Sequence, residues 1–190
     1  MKINDLLEIS KNDLIGKIVA FPTDTVYGVG ALIDDLEGIN KIYELKHRDP
    51  SKPLAILAPN IESILPYIDY PRLEVFDLMN KYWPGALTII FKKNTQNKVV
   101  FNEELSTIAF RIPASNTALN ILKKYGPMAT TSVNISGNAP INTYDEINEY
   151  FSDQIDYIIE SDETLSCVSS TIIDATKYPY VVIRQGSIKL

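Results

Sequence analysis

Apolar segments no longer than a strand, each cut off by proline, glycine or a run of hydroxyls, alternate with amphipathic helical patterns in this chain and later crowd together. Strand–helix–strand units produce parallel pairs, whereas strands that follow one another directly pair antiparallel. A chain with both implies an α/β fold: a twisted sheet of mixed parallel and antiparallel strands, flanked by helices. Pure dinucleotide-fold order fits less well.

The first helix is expected over 3–15, with Leu6, Leu7, Leu14 and Ile15 apolar, Asn4 or Asp5 as cap and Gly16 as its end. A strand over 17–21 stops at Pro22. Residues 35–46 read as a helix capped by Asp34 or Asp35, with Leu36, Ile39, Ile42, Tyr43 and Leu45 on one side. A buried strand over 54–58 precedes a helix from Asn60 and another over 72–82, which Trp83-Pro84-Gly85 ends. Strands 87–92 and 107–112 are separated by the polar loop 93–98 and a short apolar patch. Ser115 caps a helix to Tyr125, closed by Gly126-Pro127, and a strand covers 128–131. Thr143-x-x-Glu146 is a capping box that opens a helix to Phe151. Strands over 155–159, 170–174 and 180–184 close the chain. No repeat, linker or composition break divides residues 1–190, so they read as one domain.

Composition removes several functions. A net charge of −6 argues against a protein that coats nucleic acid, yet 18 Lys and Arg can still line a small basic pocket. One cysteine excludes an internal disulfide and points to a reducing compartment; Cys167 itself reads as a small buried apolar residue. A single histidine, His47, cannot build a histidine metal cluster. Acidic Asp5 and Glu8 interrupt residues 1–10, so no signal peptide is expected, and apolar runs are too short to span a bilayer. The expectation is a soluble, cytoplasmic protein.

Two features carry chemistry. The strand at 17–21 runs into Pro22-Thr23-Asp24-Thr25, the strand at 128–131 runs into Ser132-Val133-Asn134, and Ser169-Ser170-Thr171 opens another. Each cluster alone is ordinary turn chemistry, but three together suit a ligand rich in oxygen, held at strand ends. The second feature is Lys46-His47-Arg48-Asp49-Pro50-Ser51-Lys52-Pro53, in which three cations crowd a stiff loop. They could answer a helix dipole or clamp a triphosphate. No phosphate-binding G-x-x-x-x-G-K-[ST] loop exists, and Ile33 breaks the dinucleotide pattern begun by Gly28-Val29-Gly30. The residues by themselves lead to an α/β enzyme that binds an anionic, phosphate-bearing ligand.

Eight blocks in order are more specific. They are Phe21-Pro22-Thr23-Asp24-Thr25-Val26-Tyr27-Gly28-Val29-Gly30, Lys46-x-Arg48, Lys52-Pro53-Leu54, Trp83-Pro84-Gly85-x-Leu87-Thr88, Arg111-Ile112-Pro113, Thr131-Ser132-Val133-Asn134-Ile135-Ser136-Gly137, Ser170-Thr171-Ile172-Ile173-Asp174 and Ile183-Arg184-x-Gly186. The chain resembles the YrdC/TsaC family along nearly its whole length. The resemblance implies a YrdC-like domain with a concave cleft that makes threonylcarbamoyl-AMP from L-threonine, bicarbonate and ATP, with release of pyrophosphate, for tRNA modification. It also implies Lys46 and Arg48 as catalytic residues, and Thr25, Arg111, Thr130 and Ser170 as the threonine site. Arg48, Lys52, Thr107, Ser132, Asn134 and Arg184 would hold ATP. Magnesium would arrive with ATP, with Asp24 and Asp174 only weak candidates to ligate it. The implied partners are ATP, threonine, bicarbonate and downstream transfer proteins, with weak tRNA contact at most and no membrane. Two departures stand out: His47 where some relatives carry glycine, and Leu57 where some carry a histidine near the threonine pocket. With four residues after Gly186, the resemblance is to the short, single-domain family type, and that type is the expectation. A non-catalytic RNA-binding module of the same fold is the alternative. Carbamoyl-phosphate chemistry is a third reading, without the acylphosphatase and zinc-finger modules that accompany it.

Overall fold

The computed structural model describes residues 1–96 and 105–190. In chain order these form α1 (Ile3–Glu8), β1 (Val19–Phe21), β2 (Gly28–Leu32), α2 (Leu36–Lys46), β3 (Ala55–Leu57), α3 (Leu73–Tyr82), β4 (Leu87–Lys92), β5 (Thr107–Arg111), α4 (Asn116–Tyr125), β6 (Met128–Ser132), α5 (Tyr144–Phe151), β7 (Tyr157–Ile158), β8 (Thr171–Asp174) and β9 (Val181–Arg184). The described strands make one sheet in the order β7-β1-β2-β6-β3-β5-β4-β8-β9. Its β7–β1, β3–β5 and β4–β8 pairs are parallel and the others antiparallel, the mixed sheet that the interleaving predicts.

Caps behave as the sequence suggests. Asp35 accepts the Gly38 N–H at the start of α2, Ser115 accepts that of Ala118 on α4, and Thr143 accepts that of Glu146 on α5. Other expectations fail for local reasons. The helix expected over 3–15 stops at Glu8, because the Ser10 hydroxyl binds the Asp13 carboxylate and backbone, which nucleates a separate 3-10 turn at Asn12–Leu14. Ile15 is therefore exposed rather than apolar core. From Asn60 the chain makes an Asn60–Ser63 turn and only a 3-10 turn at Leu65–Tyr67, since Pro66 has no N–H to continue a helix. Leu36 is exposed at the first turn of α2, and Cys167 is exposed with a left-handed φ of 55°, not buried. The loop at 93–98 continues beyond residue 96, and with the apolar patch it falls partly outside the described residues.

Side chains alternate across a sheet with a period of two, so register decides which residues share a face. Gly28 and Gly30 on β2 lie opposite Ser132 and Thr130 on β6, and Ala55 on β3 also lies opposite Thr130. Leu57 pairs with Arg111 on β5. These residues occupy one face. At one end α1 and α4 cover it, packing Leu6, Ala118, Ile121, Leu122 and Tyr125 on Val19, Phe21, Leu32, Leu57 and Met128. The opposite face carries α2, α3 and α5 over Val29, Ala31, Ile56, Ile89, Phe110 and Ala129. The first face is left open beyond α4, and its small residues make the opening concave.

Candidate active site

A cavity of about 270 Å³ occupies that opening, and Thr25, Arg48, Leu57, Arg111, Thr130, Ser132, Ser170 and Arg184 are on its walls. The floor is sheet face, not strand ends alone as the hydroxyl clusters suggest. Gly28 explains part of the depth: a Cβ there would stand 2.9 Å from Thr130 Cγ2, so only glycine lets β2 and β6 carry Thr130 at this point. Gly28 and Gly30 therefore serve a close strand approach, not a dinucleotide loop.

One wall is built around Arg111, at the end of β5 and 6% exposed. Its Nε donates to Gly85 O at 2.9 Å, its NH1 to Thr25 Oγ1 at 2.8 Å and its NH2 to Asp24 Oδ1 at 2.5 Å. Burial pulls the Arg111 pKa below its ordinary value, Arg184 adds to that, and Asp24 opposes it. Two of the five guanidinium N–H bonds remain for a ligand. Thr23 Oγ1 lies 3.0 Å from Thr25 Oγ1 and donates to Val26 O, which fixes the loop after β1. Backbone N–H groups of Ser166 and Cys167 bind Asp24 O and Thr25 O, so the chain before β8 straps this loop down. Thr88 on β4 and Ser170 share a 2.8 Å hydrogen bond, and Arg184 on β9 donates to Ser170 O and Oγ.

The other wall carries Arg48 and Ser132. Arg48 follows His47, which ends α2 in the left-handed conformation at φ 48°, a position suited to the glycine of some relatives. Nε and NH2 of Arg48 donate to Lys52 O and Pro53 O, so the stiff loop aims its guanidinium at the cavity. Leu57 occupies its expected place beside Arg111, an apolar contribution to that wall.

Not every expected residue reaches the cavity. Lys46 is 2% exposed and Asn134 8%, and both stand behind the wall. Burial first, then the Arg48 charge, push the Lys46 pKa down to about 8, while its hydrogen bonds to three oxygens favour the charged form. Lys52 is exposed on the loop outside. Thr107 shares a face of β5 with Arg111 but stands four residues upstream, about 13 Å along the strand. Sequence reasoning gave no role to Thr88, although it lies in a quoted block, and treated Asp24 as a weak magnesium candidate. Asp24 is committed to Arg111, and Asp174 to Thr176 and Lys177. Among the described residues, no group of three or more His, Cys, Asp or Glu could hold a metal ion.

A cavity floored by β2, β3 and β6, with arginines from β5, β9 and the α2–β3 loop, can grip two anions side by side. The family model Sua5/YciO/YrdC, described as telomere recombination, matches residues 14–186. The chain belongs to this family. Among Sua5/YciO/YrdC relatives, a threonylcarbamoyl-AMP synthase of Pyrococcus abyssi is 36% identical over 92% of this chain and 52% of its own length. A threonylcarbamoyl-AMP synthase of Vibrio campbellii is 32% identical over 90% of this chain and 93% of its own. The crystal structure of P. abyssi Sua5 complexed with L-threonine superposes with a TM-score of 0.89 at 34% identity, over 99% of this chain and 55% of that one. The chain thus spans about half the length of the Pyrococcus relative and nearly all of the Vibrio relative.

Proposed function

We propose that this chain synthesises L-threonylcarbamoyladenylate from L-threonine, bicarbonate and ATP. The observation that carries the reading is a cavity that brings Arg111, Thr25, Thr130, Ser170 and Arg184 together with Arg48 and Ser132. The names of the Pyrococcus and Vibrio relatives support it, as does the threonine bound to P. abyssi Sua5. At about 270 Å³ the cavity is at the small end for ligand pockets, roughly 300–1,000 Å³. It suits threonine and the reacting phosphate, with the rest of ATP extending outward towards Lys52 and Thr107.

In this reading the two free N–H bonds of Arg111 take the threonine carboxylate, and Thr25, Thr130 and Ser170 surround the remainder of the amino acid. The amine and bicarbonate give a carbamate and water. A carbamate oxygen then bonds to the α-phosphorus, and the bond to the bridging oxygen breaks, its electron pair leaving with pyrophosphate. Two anions must approach, so fixed positive charge in a site shielded from water lowers the barrier. Arg48 from one wall and Arg184, beside Ser170, from the other supply that charge. Magnesium enters as part of the substrate, coordinated mainly by phosphate oxygens. The protein acts in the cytoplasm, and its product passes to proteins that transfer the threonylcarbamoyl group to tRNA. Among the described residues no helix is long and apolar enough to cross a membrane.

Omission tests this directly. Pyrophosphate release from Mg-ATP is expected to need both threonine and bicarbonate, and equal release without threonine would reject the reaction.

A further inference from the structure

Groups that can only donate fix the direction of every bond in a buried network. The Lys46 ammonium has three N–H bonds and three acceptors: Ser132 O at 2.5 Å, Asn134 O at 2.8 Å and Asn134 Oδ1 at 2.8 Å. All three protons are used, and none is left for a phosphate oxygen. Because an ammonium cannot accept, the Asn134 amide atom facing it must be the oxygen. Its Nδ2 then donates to Ile135 O at 2.8 Å and Asn138 O at 2.9 Å, which consumes both amide protons. The Ser132 hydroxyl lies 2.6 Å from the same Oδ1 and has to donate its only proton there. What Ser132 has left for the cavity is lone pairs.

We propose that Lys46 is a positioning residue: through Asn134 it fixes the Ser132 hydroxyl as an acceptor, which receives an O–H or N–H donor of the nucleoside, a ribose hydroxyl or the adenine amino group. The proposal rests on the nucleotide reading of the cavity. It separates two residues that look equivalent in Lys46-x-Arg48. Arg48 spends two of its five donors on Lys52 O and Pro53 O and keeps three for phosphate. Lys46 acts from behind the wall, and the chain it tethers is the end of β6. A backbone bond from Ser136 N to Lys46 O, at 2.8 Å, closes the same connection from the other side.

Calorimetric titration of AMP, ADP and ATP into the unmodified chain, Lys46→Met, Arg48→Met and Ser132→Ala tests this. Lys46→Met is expected to weaken all three nucleotides by the same factor. With Arg48→Met the loss should grow with each phosphate. A second series uses ATP analogues that lack the 2′-hydroxyl, the 3′-hydroxyl or the 6-amino group. One of them should bind the unmodified chain about five- to tenfold more weakly than ATP, the scale of one hydrogen bond, and Ser132→Ala should erase that difference. Which analogue responds identifies the donor. Ser132→Ala leaves Lys46 and Asn134 in place, so this arm stands even if Lys46→Met does not fold. A Lys46→Met loss that grows with phosphate number would overturn the proposal. So would three analogues that all bind the unmodified chain as ATP does. If the unmodified chain binds no nucleotide, the nucleotide reading fails and takes this proposal with it.

Discussion

Asp24 Oδ1 accepts from Arg111 NH2 at 2.5 Å and from Ala114 N at 2.9 Å, so one oxygen ties the loop after β1 to β5 and to the chain before α4. The pair is largely buried, where removing one partner costs more than the pair contributes. Asp24→Asn keeps the shape but weakens the charge-assisted bond by about 1–1.5 kcal/mol. The threonine KM is expected to rise about tenfold through a less well-held Arg111. Nucleotide affinity, set mainly by Arg48 and Ser132 across the cavity, should change less than twofold. Parallel titrations of the two ligands check this, and equal losses for both would place Arg111 wrongly. Sequence could name Arg111 and Thr25 but not their link, because the contact joins residues 86 positions apart. It could not separate Lys46 from Arg48 either, since adjacency along the chain does not say which cation faces the cavity.

At the scale of elements, a two-residue strand at one edge of the sheet needs more than its ladder bonds. Asp156, just before β7, accepts the Ile18 N–H at 3.0 Å through Oδ2 and pairs with Lys17 at 3.0 Å through Oδ1. Burial pushes the Asp156 pKa up, but the Ile18 bond and Lys17, with help from Lys41, bring the net value below the ordinary 3.8. A carboxyl whose folded pKa is depressed stabilises fully above its unfolded pKa, and loses that contribution as pH falls through the folded one. Asp156→Asn should therefore cost about 1 kcal/mol at neutral pH. The gap to the unmodified chain should close below pH 3.8. Denaturant titrations across pH measure it, and a gap that stays constant into acid would contradict the role. The capped helices α2, α4 and α5 were legible because caps and periodicity are local signals. Strand β2 is not legible in the sequence, since Gly28 and Gly30 lower strand propensity and only the Thr130 contact explains them. The apolar pattern over 3–15 outruns the helix because the periodicity continues past Ser10 while the helical hydrogen bonding does not.

The whole molecule carries a net charge of −6, yet Arg48, Arg111 and Arg184 converge on one cavity. Average charge describes solubility and non-specific binding, whereas a walled site responds to the charges that line it. The mixed sheet was foreseeable from the order of elements. The use of its face as the cavity floor was not, because it depends on where α4 stops covering the sheet. The central claim is that the two walls hold a threonine carbamate against ATP. The measurement that reaches it is mass spectrometry of a reaction run with carbon-13 bicarbonate. The account predicts an adduct that contains threonine, AMP and the labelled carbon, in step with pyrophosphate. Pyrophosphate release without any labelled adduct would contradict it.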